Sequence, residues 1–187
     1  TLRQQSKLSV TSTSVDGVFI IEPKVFGDER GWFAESFNAI DFSVATGLLV
    51  NFVQDNHSFS RKGTLRGMHY QLEKTQGKLV RVVSGSVFDV DVDLREQSPT
   101  FGKWFGIELS AQNHKQLWIP AGFAHGFLVL SETADFLYKT TDYYAPAHER
   151  SFRWDDPELN IAWPLEALGG PPILSTKDAQ ALGFAAY

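Results

Sequence analysis

The sequence predicts an all-β fold, and three observations support this. Apolar and β-branched runs recur at spacings of about ten residues, with turn residues between them. Glycine and proline are frequent, at 15 and 8 residues, which favours many turns over long helices. Residues 88–94 alternate strictly between apolar and acidic side chains, the period-2 pattern of a strand. Together these features predict an antiparallel β-sandwich, jelly roll or barrel.

The first part of the chain contains short elements between turns. Residues 1–16 form a polar, Ser/Thr-rich extension, and residues 18–21 are the first strand candidate. Residues 28–31 indicate a turn that precedes a second apolar run. A short helix is predicted from Asn38, a residue that caps helix N-termini well, to Gly47, a typical C-terminal stop.

The middle and end of the chain complete the predicted fold. With 187 residues and an apolar fraction of 43%, we expect one domain. Residues 155–187 contain four prolines and should form an irregular C-terminal segment that packs on the core, with one helical turn near Asp178. The strand candidates are residues 78–83, 88–94, 104–109, 116–119, 127–130 and 134–140.

The overall charge and composition exclude several classes of protein. A net charge of −5 without a basic run argues against non-specific nucleic-acid binding. The chain has no cysteine, which fits the cytoplasm. No apolar run approaches the roughly 20 residues of a membrane span, and the N-terminal region lacks the apolar core of a signal peptide. A cytoplasmic protein that does not enter membranes is expected.

The segment GTLRGMHYQ, residues 63–71, is the first candidate for chemistry. Histidine titrates near neutral pH, so His69 is a candidate general base. In an extended segment, His69 and Gln71 share one face while Met68 and Tyr70 lie on the other. A hydrogen-bonded structural histidine is the alternative, and the sequence alone leaves both open.

A second histidine, His125, lies in the apolar segment PAGFAHGF, residues 120–127. A metal site there is weakly indicated, because the familiar His-x-His spacing with a later glutamate is absent and position 71 is glutamine. A core histidine paired with one acid is favoured, and Asp89, Asp91 or Asp93 could be that acid. These three carboxylates share one face of the predicted strand, which either faces solvent or lines a pocket.

Several tyrosines and cationic residues could have either a structural or a functional role. Tyr138 lies in a strand-like run where packing is the simplest role, and Tyr143 and Tyr144 are rivals for any role of a phenol. Lys78 and Arg81 differ in parity along a predicted strand, so they should face opposite sides. Arg30, Arg66 and Lys78 are candidates for contacts with a small anion, and a solvated charge is the alternative for each of them.

Taken in order, six segments resemble one known family. They are residues 26–31 (FGDERG), 54–58 (QDNHS), 65–71 (LRGMHYQ), 78–81 (KLVR), 120–127 (PAGFAHGF) and 138–139 (YK). In these motifs the chain resembles the dTDP-4-dehydrorhamnose 3,5-epimerase family. The resemblance implies a cupin-type jelly roll, a homodimer with exchanged N-terminal strands, no metal and no cofactor. It implies the substrate dTDP-4-dehydro-6-deoxy-D-glucose, epimerised at C3 and C5.

The resemblance also implies roles for individual residues. His69 is the expected base with Asp178 as its partner, Tyr138 the acid on the opposite face, and Lys78 the cation beside the C4 oxygen. Two alternatives of related fold stay open: an epimerase acting at one carbon only, and a metal-dependent cupin oxygenase. A third is a nucleotide-sugar-binding module without catalysis. The expected substrate-binding residues are Arg30, Glu35, Gln54, Asp55, Asn56, Arg66, His125, Glu149 and Lys177.

Overall fold

Two antiparallel sheets facing each other form the body of the protein, as in a jelly roll. The computed structural model describes residues 8–184. The strands are β1 (Leu8–Ser12), β2 (Phe19–Pro23), β3 (Val25–Asp28), β4 (Gly31–Ala34), β5 (Gln54–Arg61), β6 (Leu65–Gln71), β7 (Lys78–Ser84), β8 (Ser86–Asp93), β9 (Trp104–Ser110), β10 (Gln116–Ile119), β11 (Phe123–Val129), β12 (Thr133–Thr140) and β13 (Glu149–Ser151), with helices α1 (Ala39–Thr46) and α2 (Thr176–Ala179).

The strand order fixes which residues meet across the sandwich. One sheet has the order β1-β2-β10-β7-β12-β5 and the other β13-β6-β11-β8-β9, while β3 and β4 form a separate hairpin. A core that includes Val82, Leu117 and Phe136 of the first sheet and Val87 and Val129 of the second fills the space between them. The sandwich is therefore closed by apolar packing in part of its interior, and polar side chains occupy the rest.

The outer faces of both sheets are also covered. Val90, Val92 and Leu128 on the five-stranded sheet pack against Phe152 and Trp163, which follow the last long strand. On the other sheet, Leu79 and Trp118 pack against Phe42 of α1. Because the five-stranded sheet packs on both faces, the alternating strand β8 directs Val90 and Val92 outward to the C-terminal segment and Val87, Asp89 and Asp91 inward.

Most of the predicted elements are present. Helix α1 has the predicted caps, since the Asn38 side chain accepts from two backbone N–H groups and Gly47 is left-handed at φ 72°. The predicted helical turn near Asp178 is α2. No helix within residues 8–184 has the length and apolar character needed to span a membrane.

Several strands were not among the strand candidates, including β1, β3, β5, β6 and β13. The stretch Leu8–Ser12, assigned to a polar extension, forms β1 and pairs with β2, with Leu8 and Val10 facing the α1 side. β13 is a three-residue edge strand that pairs with β6. Residues 1–7 of the predicted extension and 185–187 of the predicted C-terminal segment lie outside the described residues.

Candidate active site

A cavity of about 590 Å³ lies between the two sheets and contains most of the predicted site residues. The six-stranded sheet contributes side chains from β5, β7 and β12, and the five-stranded sheet contributes side chains from β6 and β11. The predicted residues that line it are Asn56, Arg66, His69, Lys78, His125, Tyr138 and Glu149.

His69 and Asp178 form a hydrogen-bonded pair at the cavity wall. His69 Nε2 lies 2.6 Å from Asp178 Oδ1, and Asp178 Oδ2 also accepts from the Gly67 N–H at 3.2 Å. Burial raises the pKa of Asp178, but the hydrogen bonds from His69 and Gly67 outweigh burial and leave that pKa below its ordinary value. An ionised carboxylate only accepts hydrogen bonds, so Nε2 of His69 carries the hydrogen and Nδ1 keeps the lone pair.

Helix α2 presents Asp178 to His69 from outside the sandwich. The Ser175 hydroxyl caps this single turn by accepting from the Asp178 backbone N–H at 3.1 Å. The Asp178 side chain is 4% exposed, whereas the His69 side chain keeps 33% exposure toward the cavity. The pair therefore has one buried member and one member that a ligand can reach.

Lys78 and Tyr138 lie on the sheet opposite His69. The Lys78 Nζ is 5.5 Å from the centre of the Tyr138 ring, a cation–π contact. Burial lowers the pKa of Lys78 below its ordinary value, while the charges of Asp91, Asp89 and Glu149 act in the opposite direction. As predicted from parity, Arg81 faces the other side of β7 and lines a separate cavity.

The innermost part of the cavity holds a buried histidine–carboxylate group. His125 Nε2 lies 2.6 Å from Asp89 Oδ2, which identifies the acid that the sequence left open among three candidates. Burial lowers the pKa of His125, and the nearby charge of Asp89 opposes this. Asp89 and Asp91 face inward, whereas Asp93 forms an ion pair with Arg95 at 2.9 Å.

Atoms of His125, Asp89 and Asp91 lie within 4.8 Å of one another, so these residues form the candidate metal-ligand group among the described residues. The His125 Nε2, however, is already engaged by Asp89. The Lys78 ammonium interacts with both carboxylates and supplies positive charge where a metal ion would otherwise do so. The donor set is therefore a poor fit to a cation.

A second polar group lies at the cavity rim. Tyr144 donates from its hydroxyl to Glu149 Oε2 at 2.7 Å, and Lys177 Nζ lies 3.1 Å from the same oxygen. Burial raises the pKa of Glu149, and the hydrogen bonds from Tyr144 and Lys177 more than offset this, so that pKa is below its ordinary value. Lys177 thus contacts the cavity through Glu149.

The three residues 54–56 divide between the two faces of β5. Asn56 lines the cavity, and Gln54 donates from Nε2 to Asn56 Oδ1 and accepts from the Tyr144 N–H. Asp55 has the opposite parity, and its exposed carboxylate forms an ion pair with Lys139 at 3.0 Å. Asp55 is absent from the residues that line the cavity within this chain, and its contact with the substrate stays a prediction.

Arg30 and Glu35 are absent from the residues that line the cavity within this chain. Arg30 lies in the turn of the β3–β4 hairpin, where its guanidinium is 85% exposed and binds Asp28 at 2.6 Å. The same hairpin exposes Phe26, Trp32 and Phe33. The motif that contains Arg30 is therefore on a projecting element and not at the site of its own chain.

Several cavity residues were not predicted as site residues. They include Gln76, Phe127 and Tyr144, which come from the loop after β6, from β11 and from the loop after β12. The sequence indicates Tyr144 only as an alternative to Tyr138 for the role of a phenol. Phe127 has no local signal, because it also belongs to the apolar core and stacks on Phe136 at 4.3 Å.

Comparisons with known proteins agree with this arrangement. A family model described as dTDP-4-dehydrorhamnose 3,5-epimerase matches residues 12–186. A dTDP-4-dehydrorhamnose 3,5-epimerase from Pseudomonas aeruginosa is 58% identical over 178 residues, which are 95% of this chain and 97% of that protein.

Solved structures show the same fold. A dTDP-6-deoxy-D-glucose-3,5-epimerase from Legionella pneumophila, in complex with dTDP-4-keto-L-rhamnose, is 55% identical with a TM-score of 0.90 and covers 94% of this chain and 92% of its own. A 3'-monoepimerase from Streptomyces bikiniensis, in complex with dTDP-quinovose, is 36% identical with a TM-score of 0.85 and covers 92% and 86%. With its two-sheet architecture and a family match over nearly its whole length, the chain belongs to the dTDP-4-dehydrorhamnose 3,5-epimerase family.

Proposed function

We propose that this protein epimerises dTDP-4-dehydro-6-deoxy-D-glucose at C3 and C5 to give dTDP-4-dehydro-L-rhamnose. One observation carries the proposal: His69, which is paired with Asp178 of α2, and the Lys78–Tyr138 pair line the same cavity from opposing sheets. The relatives are named as enzymes that act on dTDP sugars or are seen in complex with them, and this supports the choice of substrate.

His69 acts as the base. A proton on carbon next to a ketone is weakly acidic, and its removal leaves an enolate with charge on the ketone oxygen. The Nδ1 lone pair of His69 takes this proton, and Asp178 stabilises the imidazolium that forms. General-base catalysis of this kind contributes roughly 10²–10⁴-fold in rate.

Lys78 stabilises the enolate oxygen. Its ammonium lies in a mostly buried position, where a charge interacts with a developing anion more strongly than in water. C3 and C5 both flank C4, so one cation at the C4 oxygen serves both carbons. The ketone of the substrate is itself the electron sink, and the reaction requires no redox cofactor.

Tyr138 delivers the new proton. A base that returned the proton to the same face would leave the configuration unchanged, so inversion needs a donor on the opposite face. Tyr138 belongs to the six-stranded sheet, across the cavity from His69 on the five-stranded sheet. Its phenol is a neutral donor that reprotonates the enolate from that side.

The protein acts as a homodimer in which the hairpin of one chain completes the cavity of the other. Arg30 and Glu35 lie outside the cavity of their own chain, although the family resemblance assigns them to the substrate site. The exposed aromatic rings of Phe26, Trp32 and Phe33 are surface that a second copy would cover. A guanidinium from the partner would then meet the substrate diphosphate.

The test is to incubate the protein with the dTDP-4-keto sugar in D₂O and to follow C3 and C5 by NMR. Deuterium uptake at both carbons, with reductase-dependent formation of dTDP-L-rhamnose, is the expected result. Uptake at one carbon would identify a mono-epimerase like the Streptomyces bikiniensis relative. No uptake at either carbon would refute the proposal and leave a binding module, and loss of activity with a chelator would point to the metal-dependent class.

The His69→Ala variant assigns the base. We expect it to lose exchange at both carbons, because one base serves both positions. The matched control is His148→Ala, since His148 lies near the surface and interacts with Glu73 at 3.4 Å. Normal exchange in His69→Ala would mean that another residue removes the proton.

A further inference from the structure

Asp89 and Asp91 present a problem of charge at the innermost part of the cavity. Both side chains have no exposed surface. Asp89 Oδ1 and both carboxyl oxygens of Asp91 have no hydrogen-bond donor within residues 8–184. Burying an ionised carboxylate without donors is costly, and a second carboxylate beside it adds repulsion. Two ionised carboxylates are therefore an unstable combination here.

Charged and titratable groups from several strands surround Asp91. On β8, Asp91 has Asp89 as its inward neighbour, and His125 of β11 and Phe105 of β9 lie opposite it in the register. Burial lowers the pKa of His125, which favours its neutral form, while the charge of Asp89 and the hydrogen bond with it act in the opposite direction. The titratable or charged groups around Asp91 are Lys78 from β7, Asp89 from β8, His125 from β11 and, farther away, His69 from β6 and Glu149 from β13.

Of the two carboxyl groups, Asp89 is the one with a hydrogen-bond partner. Its Oδ2 accepts from His125 Nε2 at 2.6 Å, and the Lys78 ammonium balances its charge. Asp91 has no such donor, and an oxygen of its carboxyl group lies within 4.8 Å of an Asp89 carboxyl oxygen. A protonated Asp91 would donate a hydrogen bond to Asp89 Oδ1. It would also remove the repulsion between the two carboxylates.

We propose that Asp91 stays protonated at neutral pH and donates a hydrogen bond to Asp89, so that a single negative charge faces Lys78. This makes Asp91 a positioning residue. It fixes the Asp89 carboxylate, which in turn orients His125 and keeps the Lys78 ammonium charged and in place. The role in catalysis rests on the proposed function of Lys78 at the ketone oxygen, whereas the protonation state does not.

The electrostatic surroundings support this arrangement. Burial raises the pKa of Asp91 well above its ordinary value, and the charge of Asp89 and the hydrogen bond with Asp89 raise it further. Burial lowers the pKa of Lys78, and nearby negative charges raise it. If Asp91 is neutral, the carboxylates of Asp89 and Glu149 are the ones that raise the pKa of Lys78. A bound divalent cation is the competing explanation of the donor-free oxygens, and the experiment distinguishes the two.

The direct test is NMR of the ligand-free protein labelled with ¹³C at the aspartate carboxyl carbons. The signal that disappears in Asp91→Asn identifies Asp91. We expect it at the position of a protonated carboxyl group through neutral pH and unchanged when Zn²⁺ or Mg²⁺ is added. A signal at the position of a carboxylate at pH 7, or one that moves with added metal, would overturn the proposal. This readout does not depend on any enzymatic activity.

The pH profile of C–H exchange tests the positioning role. Asparagine is neutral and can donate to Asp89, so Asp91→Asn should keep the alkaline limit of activity set by Lys78. Asp89→Asn removes the negative charge and should move that limit to lower pH. If Asp91→Asn moved the limit as Asp89→Asn does, Asp91 would be ionised and the proposal would be wrong.

The Asp91→Ala variant completes the series. It removes the donor, and we expect kcat to fall roughly tenfold, with recovery of most of that loss in Asp91→Asn. Equal losses in the two variants would mean that the volume of the side chain matters and not its hydrogen bond. Thermal unfolding and dTDP binding check that each variant is folded, and the comparison of Asp91→Asn with Asp89→Asn still decides the question if the alanine variant is not.

Discussion

The Asp178 carboxylate determines which nitrogen of His69 is available, although 109 positions separate the two residues in the chain. Its lowered pKa keeps it ionised at neutral pH, so it accepts from Nε2 and leaves Nδ1 unprotonated. His69 and Asp178 therefore act as one unit, and changing either should impair exchange at both carbons.

We predict that Asp178→Asn lowers the rate of exchange at C3 and C5 by roughly 100-fold or more, because the amide no longer stabilises the imidazolium. The measurement is solvent deuterium uptake followed by NMR. Asp155→Asn is the control, since Asp155 binds Arg153 at the surface, and it should exchange at the wild-type rate. Wild-type exchange in Asp178→Asn would separate Asp178 from the chemistry.

We predict that Tyr138→Phe keeps part of the deuterium exchange but loses most of the inversion. The base is intact in this variant, whereas the donor on the opposite face is gone. NMR of the sugar gives both quantities from one sample. Tyr143→Phe is the matched control, because the Tyr143 side chain is exposed. Wild-type turnover in Tyr138→Phe would remove Tyr138 from the mechanism.

At the residue scale, the sequence could predict a site residue where a reactive side chain has polar neighbours in the chain, as His69 does. It could predict Arg30 as a cation in a motif, but not that the side chain projects from a hairpin. Asp55 shows another limit, because it belongs to the same motif as Asn56, yet its exposed carboxylate pairs with Lys139 and it does not line the cavity. The role proposed for Asp91 could not be predicted from the sequence, because it depends on contacts with residues of other strands.

At the scale of elements, local signals with a strong physical cause were the reliable ones. Asn38 and Gly47 define α1 because cap geometry is local. β1 was missed because only Leu8 and Val10 of its five residues are apolar, and its stability comes from pairing with β2. β13 was missed for the same reason, since a three-residue edge strand depends on β6.

Asp93, the last residue of β8, should make the free energy of unfolding depend on pH. Burial raises the pKa of Asp93, but hydrogen bonds from Arg95, Ser98 and Thr100 outweigh this and bring it to about 2. Because the pKa in the folded state lies below its ordinary value, the stabilisation is full above about pH 4 and disappears as pH falls through about 2.

We predict that Asp93→Asn flattens the dependence of the unfolding free energy on pH between about pH 4 and about pH 2. Urea unfolding at several pH values measures it. Asp55→Asn, which alters an exposed ion pair, should keep the wild-type slope. An unchanged slope in Asp93→Asn would mean that other carboxylates dominate the loss of stability in acid.

At the scale of the whole molecule, we predict that two impaired variants restore activity to each other at substrate concentrations below KM. If the site combines His69 of one subunit with Arg30 of the other, mixed dimers of His69→Ala and Arg30→Ala contain one intact site. Arg30→Ala alone should raise KM roughly tenfold through loss of a charged hydrogen bond. Refolding the two variants together and measuring exchange gives the result.

The control mixture is His69→Ala with Asp178→Asn. Both residues belong to the same subunit's site, so no mixed dimer has an intact one and no recovery is expected. Recovery in the control, or none in the test mixture, would contradict the shared site. The sequence could not predict which chain supplies Arg30, because sheet order and subunit contacts are not encoded in local patterns.

The two faces of β8 have a consequence for how this fold can change its chemistry. The valines that hold the C-terminal segment point outward, and the carboxylates that govern Lys78 point inward. Substitutions on the inner face therefore leave the packing surface intact. A related protein could acquire a different reaction through substitution of a few inward side chains of this strand. Stability and specificity can therefore evolve separately within the same 8 residues.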